Sequence, residues 1–145
     1  KRRDAYIKAM EQLGLQPKIV QAKGGGWDFE QIGLNAGIGL IESRDLPSNT
    51  ILCSNDRIAI GLLAAAYQKG LRVGHGSGCA MRVAGHDDHP WSRYTCPPLT
   101  TVSQNYISIA KRSFQMLLEI IDGETYGNER PEVLFEGTLV LRASA

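Results

Sequence analysis

The chain has 145 residues, 43% of them hydrophobic, with 16 basic residues against 15 acidic ones, which predicts one globular domain. That balance lacks the basic excess of a surface that binds nucleic acid or membranes, and the apolar runs are too short for a membrane-spanning helix. Three cysteines without CxxC spacing argue against a disulfide framework or a zinc site and favour a reducing, cytoplasmic compartment.

The first third of the chain predicts two helices separated by a strand. Apolar residues recur at helical spacing over residues 2–13, and Lys18–Ala22 predicts a short strand. The second helix follows Trp27, with Asp28 as its N-cap and Gln31 at the N3 position of a capping box. Glycines inside that helix indicate close backbone packing: Gly33, Gly37 and Gly39.

The middle of the chain continues the alternation. Residues 50–54 are apolar without clean alternation, as buried parallel strands are. Asn55 and Asp56 end that strand, and a helix is predicted over 57–69. Another strand is predicted over 81–85, followed by a polar loop.

The last third contains a stretch that we call the crossing stretch, residues 99–104. Two prolines precede it, and its β-branched run favours extended backbone. An amphipathic helix is predicted from about 105 to 123, then a loop over 124–131. A closing strand or hairpin is predicted within 133–141.

Helices that alternate with strands in this order predict an α/β fold, a parallel sheet flanked by helices. In such sheets ligands bind at the carboxyl ends of the strands. Candidate sites therefore lie at residues 24–27, 55–56 and 86–88.

Five segments carry a family resemblance, in the order and at about the spacing of that family. They are Ser54–Asp56 with Ala59–Gly61, Lys69–Val73, Val83–Asp88, Pro98–Gln104 and Gly137–Ser144. Together they closely resemble the effector-binding region of the LacI/GalR transcriptional regulators.

The resemblance implies a type I periplasmic-binding-protein-like fold, in which two lobes enclose a ligand cleft. Residues 1–98 would be C-terminal lobe, residues 99–124 a crossover strand and helix of the N-terminal lobe, and residues 125–145 the closing strand region. The chain starts in the middle of a helical pattern, so we expect it to be part of a longer protein. The helix-turn-helix, most of the N-terminal lobe and the first strand of the C-terminal lobe would lie upstream.

The resemblance also assigns effector-binding roles to two residues near the start of the chain. Arg2 matches the arginine that binds effector hydroxyls or carboxylates, although its neighbour Arg3 could be confused with it. The planar guanidinium donates two parallel hydrogen bonds. Trp27 matches an aromatic residue of the cleft, whose indole face packs on a sugar ring; the alternative is a core tryptophan.

Four further residues are assigned to the effector site in the same way. Asn55 matches a cleft asparagine, with a helix N-cap as the alternative role. We expect Asn55 in the cleft and Asp56 at the cap. Asp87 matches the aspartate that accepts hydrogen bonds from vicinal sugar hydroxyls, and it follows His86, where the family has Phe or Tyr. At the end of the crossing stretch, Gln104 matches the cleft-facing polar residue, and Tyr106, two residues further on, matches the aromatic residue at the start of the N-terminal-lobe helix; we expect both to contribute to the effector site.

These assignments predict a regulator that binds a small sugar-like effector and no cofactor, and that contacts operator DNA only through the absent N-terminal domain. We expect a homodimer with interface candidates in helix 58–69 and in loop 90–96, where Trp91 and Tyr94 lie, and no membrane contact. A periplasmic sugar-binding transport receptor of the same fold is the alternative. An enzyme would need a catalytic constellation, which the sequence lacks, and the run His86–His89 lacks the spacing of a metal site.

Overall fold

Four α-helices and four short β-strands make up the computed structural model, which describes residues 1–44, 46, 48–123 and 132–145. In chain order they are α1 (Arg2–Gln12), α2 (Phe29–Ser43), β1 (Thr50–Leu52), α3 (Asp56–Gln68), β2 (Arg82–Ala84), β3 (Thr101–Ser103), α4 (Tyr106–Ile121) and β4 (Thr138–Val140), with a 3-10 turn at Pro90–Arg93. The loop predicted over 124–131 lies outside the described residues.

The strands at the centre of the chain run parallel, as predicted. β1 pairs with β2, with Ile51 opposite Val83. The crossing stretch continues the parallel arrangement, because Ala84 pairs with Thr100 through a parallel bridge. The α/β class with a parallel sheet is therefore confirmed.

The closing strand is antiparallel. β4 pairs with β3, with Leu139 opposite Val102, so a strand within the predicted closing region is confirmed. A second strand at 133–135 was the wrong part of that prediction, since residues 132–137 form no strand. Leu134 is 84% exposed, and this segment has no strand among the described residues with which to form a ladder.

Helices α2 and α3 pack closely through glycines. A Cβ atom on Gly33 would lie 2.1 Å from the carbonyl oxygen of Ile58, and one on Gly61 would lie 2.0 Å from that of Glu30. Only hydrogen fits at these two positions. The close packing predicted for the glycine-rich helix is thus confirmed at Gly33 and Gly37, but not at Gly39, where a Cβ atom would meet nothing within 4 Å.

The start of α2 follows the predicted cap only in part. Asp28 is the N-cap, and its carboxylate accepts a hydrogen bond from the Gln31 backbone nitrogen at 3.2 Å. The Gln31 side chain does not complete a capping box, because it donates to Asn35 at 2.8 Å.

The hydrophobic core lies between α3 and the parallel strands. Its buried members are Cys53, Ala59, Leu62, Leu63, Ala66, Met81, Val83 and Leu99. The C-terminal end of the chain fastens this core to the crossing stretch. The buried Ser144 hydroxyl donates to the Val83 carbonyl at 2.6 Å and accepts from the Thr100 nitrogen at 2.8 Å.

Two segments depart from this packed arrangement. Lys18–Ala22 was predicted as a strand but is irregular, because no described segment pairs with it; Ile19 and Val20 are 41% and 46% exposed. The amphipathic helix α4 forms as predicted, yet none of its residues is buried. Among the described residues, no helix is long and apolar enough to cross a membrane.

Candidate ligand-binding site

The predicted Arg2 and Asp87 meet at the carboxyl ends of the two parallel strands. Asp87 lies beyond β2, and Arg2 reaches it from the first turn of α1. The guanidinium donates from Nη2 to Asp87 Oδ1 at 2.5 Å, and more weakly from Nη1 to Oδ2 at 3.4 Å. Nη1 also donates to the carbonyl oxygen of Ser54, just after β1, at 2.6 Å. Arg2 therefore bridges the ends of both strands, where ligands bind in sheets of this kind.

Gln104 and His86 join the same carboxylate. The Gln104 amide donates to Asp87 Oδ1 at 2.5 Å, and the His86 Nδ1 atom lies 3.1 Å from that oxygen. We call Arg2, His86, Asp87 and Gln104 the carboxyl-edge cluster. It brings together residues that lie 102 positions apart in the chain and offers one cation, one carboxylate, an amide and an imidazole to a ligand.

The backbone at Asp87 and Asp88 is held in an uncommon conformation. Their φ angles are 118° and 49°, values that residues with a side chain adopt rarely. Such strain is found preferentially at functional sites, where surrounding contacts maintain it. Here the Asp87 nitrogen donates to the Val102 carbonyl at 2.9 Å, which fixes the loop against the crossing stretch.

The neighbouring carboxylate has a different task. Asp88 Oδ1 accepts from Arg142 Nη2 at 2.7 Å, and Arg142 Nη1 donates to the Leu99 carbonyl at 2.8 Å. Both side chains are more than four-fifths buried. Asp88 therefore ties the closing segment to the crossing stretch, whereas the Asp87 carboxylate is one-third exposed and open to a ligand.

The expected N-cap role of Asp56 is wrong, and the alternative role of Asn55 as the N-cap is confirmed. Asn55 is the N-cap of α3, and its side-chain oxygen accepts from the Ile58 nitrogen at 2.8 Å. Asp56 lies inside the helix and is 1% exposed. A cap needs a short side chain just before the first helical residue, and Asn55 occupies that place. Its predicted effector contact stays a prediction.

Asp56 instead forms a buried centre that sequence reasoning missed. Its carboxylate accepts from the Ser92 and Thr101 hydroxyls at 2.6 Å each, and from the His89 nitrogen at 2.8 Å. Buried carboxylates need such donors. Asp56 therefore joins α3, the 3-10 turn and the crossing stretch. The sequence signal for this role was an acidic residue at the end of a buried strand, but a helix N-cap accounts for an acidic residue there equally well.

The two remaining predicted site residues, Trp27 and Tyr106, have no side-chain hydrogen bond to the carboxyl-edge cluster among the described residues, although the Tyr106 backbone nitrogen donates to the Gln104 carbonyl at 2.9 Å. Trp27 is 82% exposed, which makes the core alternative wrong, and it contacts Phe29 edge to face at 5.9 Å. Tyr106 is half exposed at the start of α4. Partial burial and the nearby carboxylates, Asp87 first among them, raise the pKa of Tyr106. Roles for Trp27 and Tyr106 in binding stay predictions.

Other chemistries find little support in the part of the chain that the structure describes. No three His, Cys, Asp or Glu side chains there are grouped so that they could hold a metal ion. Burial raises the pKa of the Cys53 thiol to about 12, so this cysteine is a poor nucleophile at neutral pH.

Comparison with known proteins now defines the class. All residues, 1–145, match the family described as "Periplasmic binding protein-like domain", and the chain belongs to that family. Within it, the chain is similar to LacI-type transcriptional regulators, which confirms the resemblance noted in the sequence.

Three relatives illustrate the similarity. The chain is 32% identical over 126 residues to the HTH-type transcriptional repressor PurR of Haemophilus influenzae (strain PittEE), a match that covers 87% of this chain and 36% of the repressor. It is 29% identical to a LacI-type transcription regulator from Bifidobacterium animalis subsp. lactis, with a TM-score of 0.79 and coverage of 99% and 49%. A lac repressor dimer bound to operator and the anti-inducer ONPF matches with 27% identity, a TM-score of 0.78 and coverage of 99% and 46%. The chain therefore spans less than half the length of these proteins.

Proposed function

We propose that this chain is the ligand-sensing part of a LacI-type DNA-binding transcriptional regulator, and that it binds a small sugar-like effector. The observation that carries the proposal is the carboxyl-edge cluster. Arg2 supplies fixed donors, Asp87 a partly exposed acceptor and Gln104 an amide, a set that suits the paired donors and acceptors of a sugar ring.

The effector acts by population shift. It binds one arrangement of the two lobes more tightly than the other, and that arrangement sets the operator affinity of the helix-turn-helix domain. Couplings of this kind are typically about 1–3 kcal/mol. The crossing stretch carries Gln104 at its end and leads into α4, so a ligand held by Gln104 is connected directly to the second lobe.

The helix α4 belongs to that second lobe. Its apolar side chains are exposed in the 145-residue chain, and the N-terminal lobe of the complete protein covers them. The complete protein is a homodimer, with the exposed Trp91 and Tyr94, which are 69% and 77% accessible, as interface anchors. It works in the cytoplasm and is not an enzyme. The lac repressor structure similar to this chain is itself a dimer on operator DNA.

The proposal is tested by a thermal-shift screen of the complete regulator against neutral sugars, sugar acids and nucleobases. A ligand at 100 times its dissociation constant adds about 2.7 kcal/mol to the free energy of unfolding, which such a screen detects readily. The same ligand is then expected to change the affinity of the complete regulator for operator DNA.

The similarity to transcriptional regulators favours this proposal over the alternative from the sequence, a periplasmic sugar-binding transport receptor of the same fold. Sugar binding by a complete protein that has no affinity for operator DNA would support that alternative and contradict the proposal. Turnover of a bound sugar would contradict both readings, and sequence-specific DNA binding by residues 1–145 alone would contradict the assignment of DNA contact to another domain.

A further inference from the structure

A cavity of about 180 Å³ adjoins the carboxyl-edge cluster. His86 and Gln104, which both contact Asp87, line it together with Asn105 and Glu136. Apolar walls come from Val102, Ile109 and Phe135. Complete small-molecule pockets are roughly 300–1,000 Å³, so this cavity is large enough for one substituent of a ligand and too small for a whole one.

The two ring nitrogens of His86 are in different situations. Nδ1 lies 3.1 Å from Asp87 Oδ1 and 3.4 Å from Gln104 Nε2. Gln104 Nε2 already donates to Asp87 at 2.5 Å, so the shorter contact of Nδ1, to the carboxylate, decides the tautomer. With its proton on Nδ1, the ring leaves Nε2 as a hydrogen-bond acceptor, and Nε2 has no hydrogen-bond partner among the described residues.

We propose that His86 is a specificity-determining residue, whose Nε2 atom accepts a hydrogen bond from a hydroxyl of the effector substituent that occupies this cavity. The inference rests on the proposed function and deepens it, because it names the class of ligand. The effector is a neutral polyhydroxylated compound, with one part that binds at Asp87 and a further substituent that fills the cavity beside His86.

The distribution of charge selects a neutral ligand. Asp87 already neutralises Arg2, with the shortest contact at 2.5 Å, so the arginine attracts a free carboxylate only weakly. Glu136 adds a negative charge to the cavity lining. A sugar acid therefore meets net repulsion, whereas hydroxyl groups find acceptors on His86 and on Asp87 Oδ2, whose single contact is 3.4 Å long.

Three substitutions separate the two nitrogens of the ring. His86→Gln places an amide near the Nε2 position, His86→Asn places one near the Nδ1 position, and His86→Phe keeps the ring but removes both. Titration calorimetry of the complete regulator would use D-glucose, D-galactose and lactose as probes, with gluconate and galactonate as the matched acids. The monodeoxy derivatives of the tightest-binding sugar complete the series.

We expect the wild-type protein to bind at least one neutral sugar and neither acid. His86→Phe and His86→Asn lower the affinity for that sugar by about tenfold, the effect of one lost hydrogen bond, whereas the affinity of His86→Gln stays within about threefold of wild type. We expect one monodeoxy derivative to bind wild type and His86→Phe with equal affinity, because it lacks the hydroxyl that donates a hydrogen bond to His86.

The other outcomes distinguish a failure of the proposed function from a failure of the role of His86. A wild-type protein that binds no sugar, either in this titration or in the thermal-shift screen, contradicts the proposed function and, with it, this inference. A wild-type protein that binds sugar while all three variants bind it equally overturns the role of His86 alone. Equal losses in the Asn and Gln variants also overturn it, since a merely structural ring gives no difference between those two amides.

Discussion

The helices α3 and α4 are both rich in apolar residues, but the apolar side chains around α3 are buried and those of α4 are exposed. Around α3, the residues Leu62, Val83 and Leu99 are at most 4% exposed. In α4, apolar side chains such as Phe114 and Leu118 are 62% and 43% exposed. Burial stabilises a fold by about 25 cal/mol per Å² of apolar area, so the first region holds this chain together, whereas the exposed apolar side chains of α4 contribute little to its stability.

The largest effect that follows from this comparison is at Leu99. Truncation of a fully buried leucine leaves a cavity and costs about 2–5 kcal/mol, so we expect Leu99→Ala to lower the free energy of unfolding by that amount. Leu118→Ala removes the same atoms from an exposed site and is expected to cost less than about 0.5 kcal/mol in the 145-residue chain. Urea unfolding followed by circular dichroism measures both.

The same pair of variants sharpens the comparison in the complete protein. If a second lobe covers α4 there, Leu118→Ala becomes a core truncation and costs about 2–5 kcal/mol as well. A loss that stays below about 0.5 kcal/mol in both proteins would show that nothing covers this face.

A smaller effect is expected where α2 meets α3. Gly61→Ala puts a methyl group 2.0 Å from the Glu30 carbonyl oxygen, and we expect it to cost about 1–3 kcal/mol through overpacking. Gly39→Ala, in the same helix pair, meets no atom within 4 Å and should stabilise the helix by about 0.5–1 kcal/mol. Thermal unfolding of the two variants should therefore shift in opposite directions; equal shifts would refute the close approach.

The cysteines test the same contrast between buried and exposed positions, and this test has the smallest expected effect because it involves no change in stability. Burial raises the pKa of Cys53 to about 12, so its thiolate is scarce at pH 8, whereas Cys96 is exposed. Iodoacetamide should modify Cys96 in the native protein and Cys53 only after denaturation. Equal rates under native conditions would mean that the core is open.

Local signals in the sequence predicted most of this fold, and their successes have a common cause. The helices α1 to α4 follow periodicity and caps, such as Asp28, which act within a few residues. The prediction of a strand at 18–22 was wrong because a strand forms only beside another strand, and the periodicity of a sequence does not show whether that second strand is present. Asp56 was misassigned for a similar reason, since its partners Ser92 and Thr101 lie 36 and 45 positions away.

The strand order alone predicted a site at the carboxyl ends of the strands, which includes Asp87, but the roles of Arg2 and Gln104 were predictable only through the family resemblance. Arg2, Asp87 and Gln104 carry no common local pattern, and the structure brings them together because β1, β2 and the crossing stretch end at one edge. His86 shows the limit of such a transfer. It stands where the family has another residue, so its chemistry had to be read from its contacts.

One measurement tests the central claim most directly: operator binding by the complete regulator, with and without its effector, for wild type and Asp87→Ala. We predict that the variant binds operator as wild type does but no longer responds to effector, because the acceptor of the effector hydroxyls is gone. Asp4→Ala, which removes the 80% exposed carboxylate of α1, should respond normally. An unchanged effector response in Asp87→Ala would contradict the account, because the cluster around Asp87 would then not be the effector site.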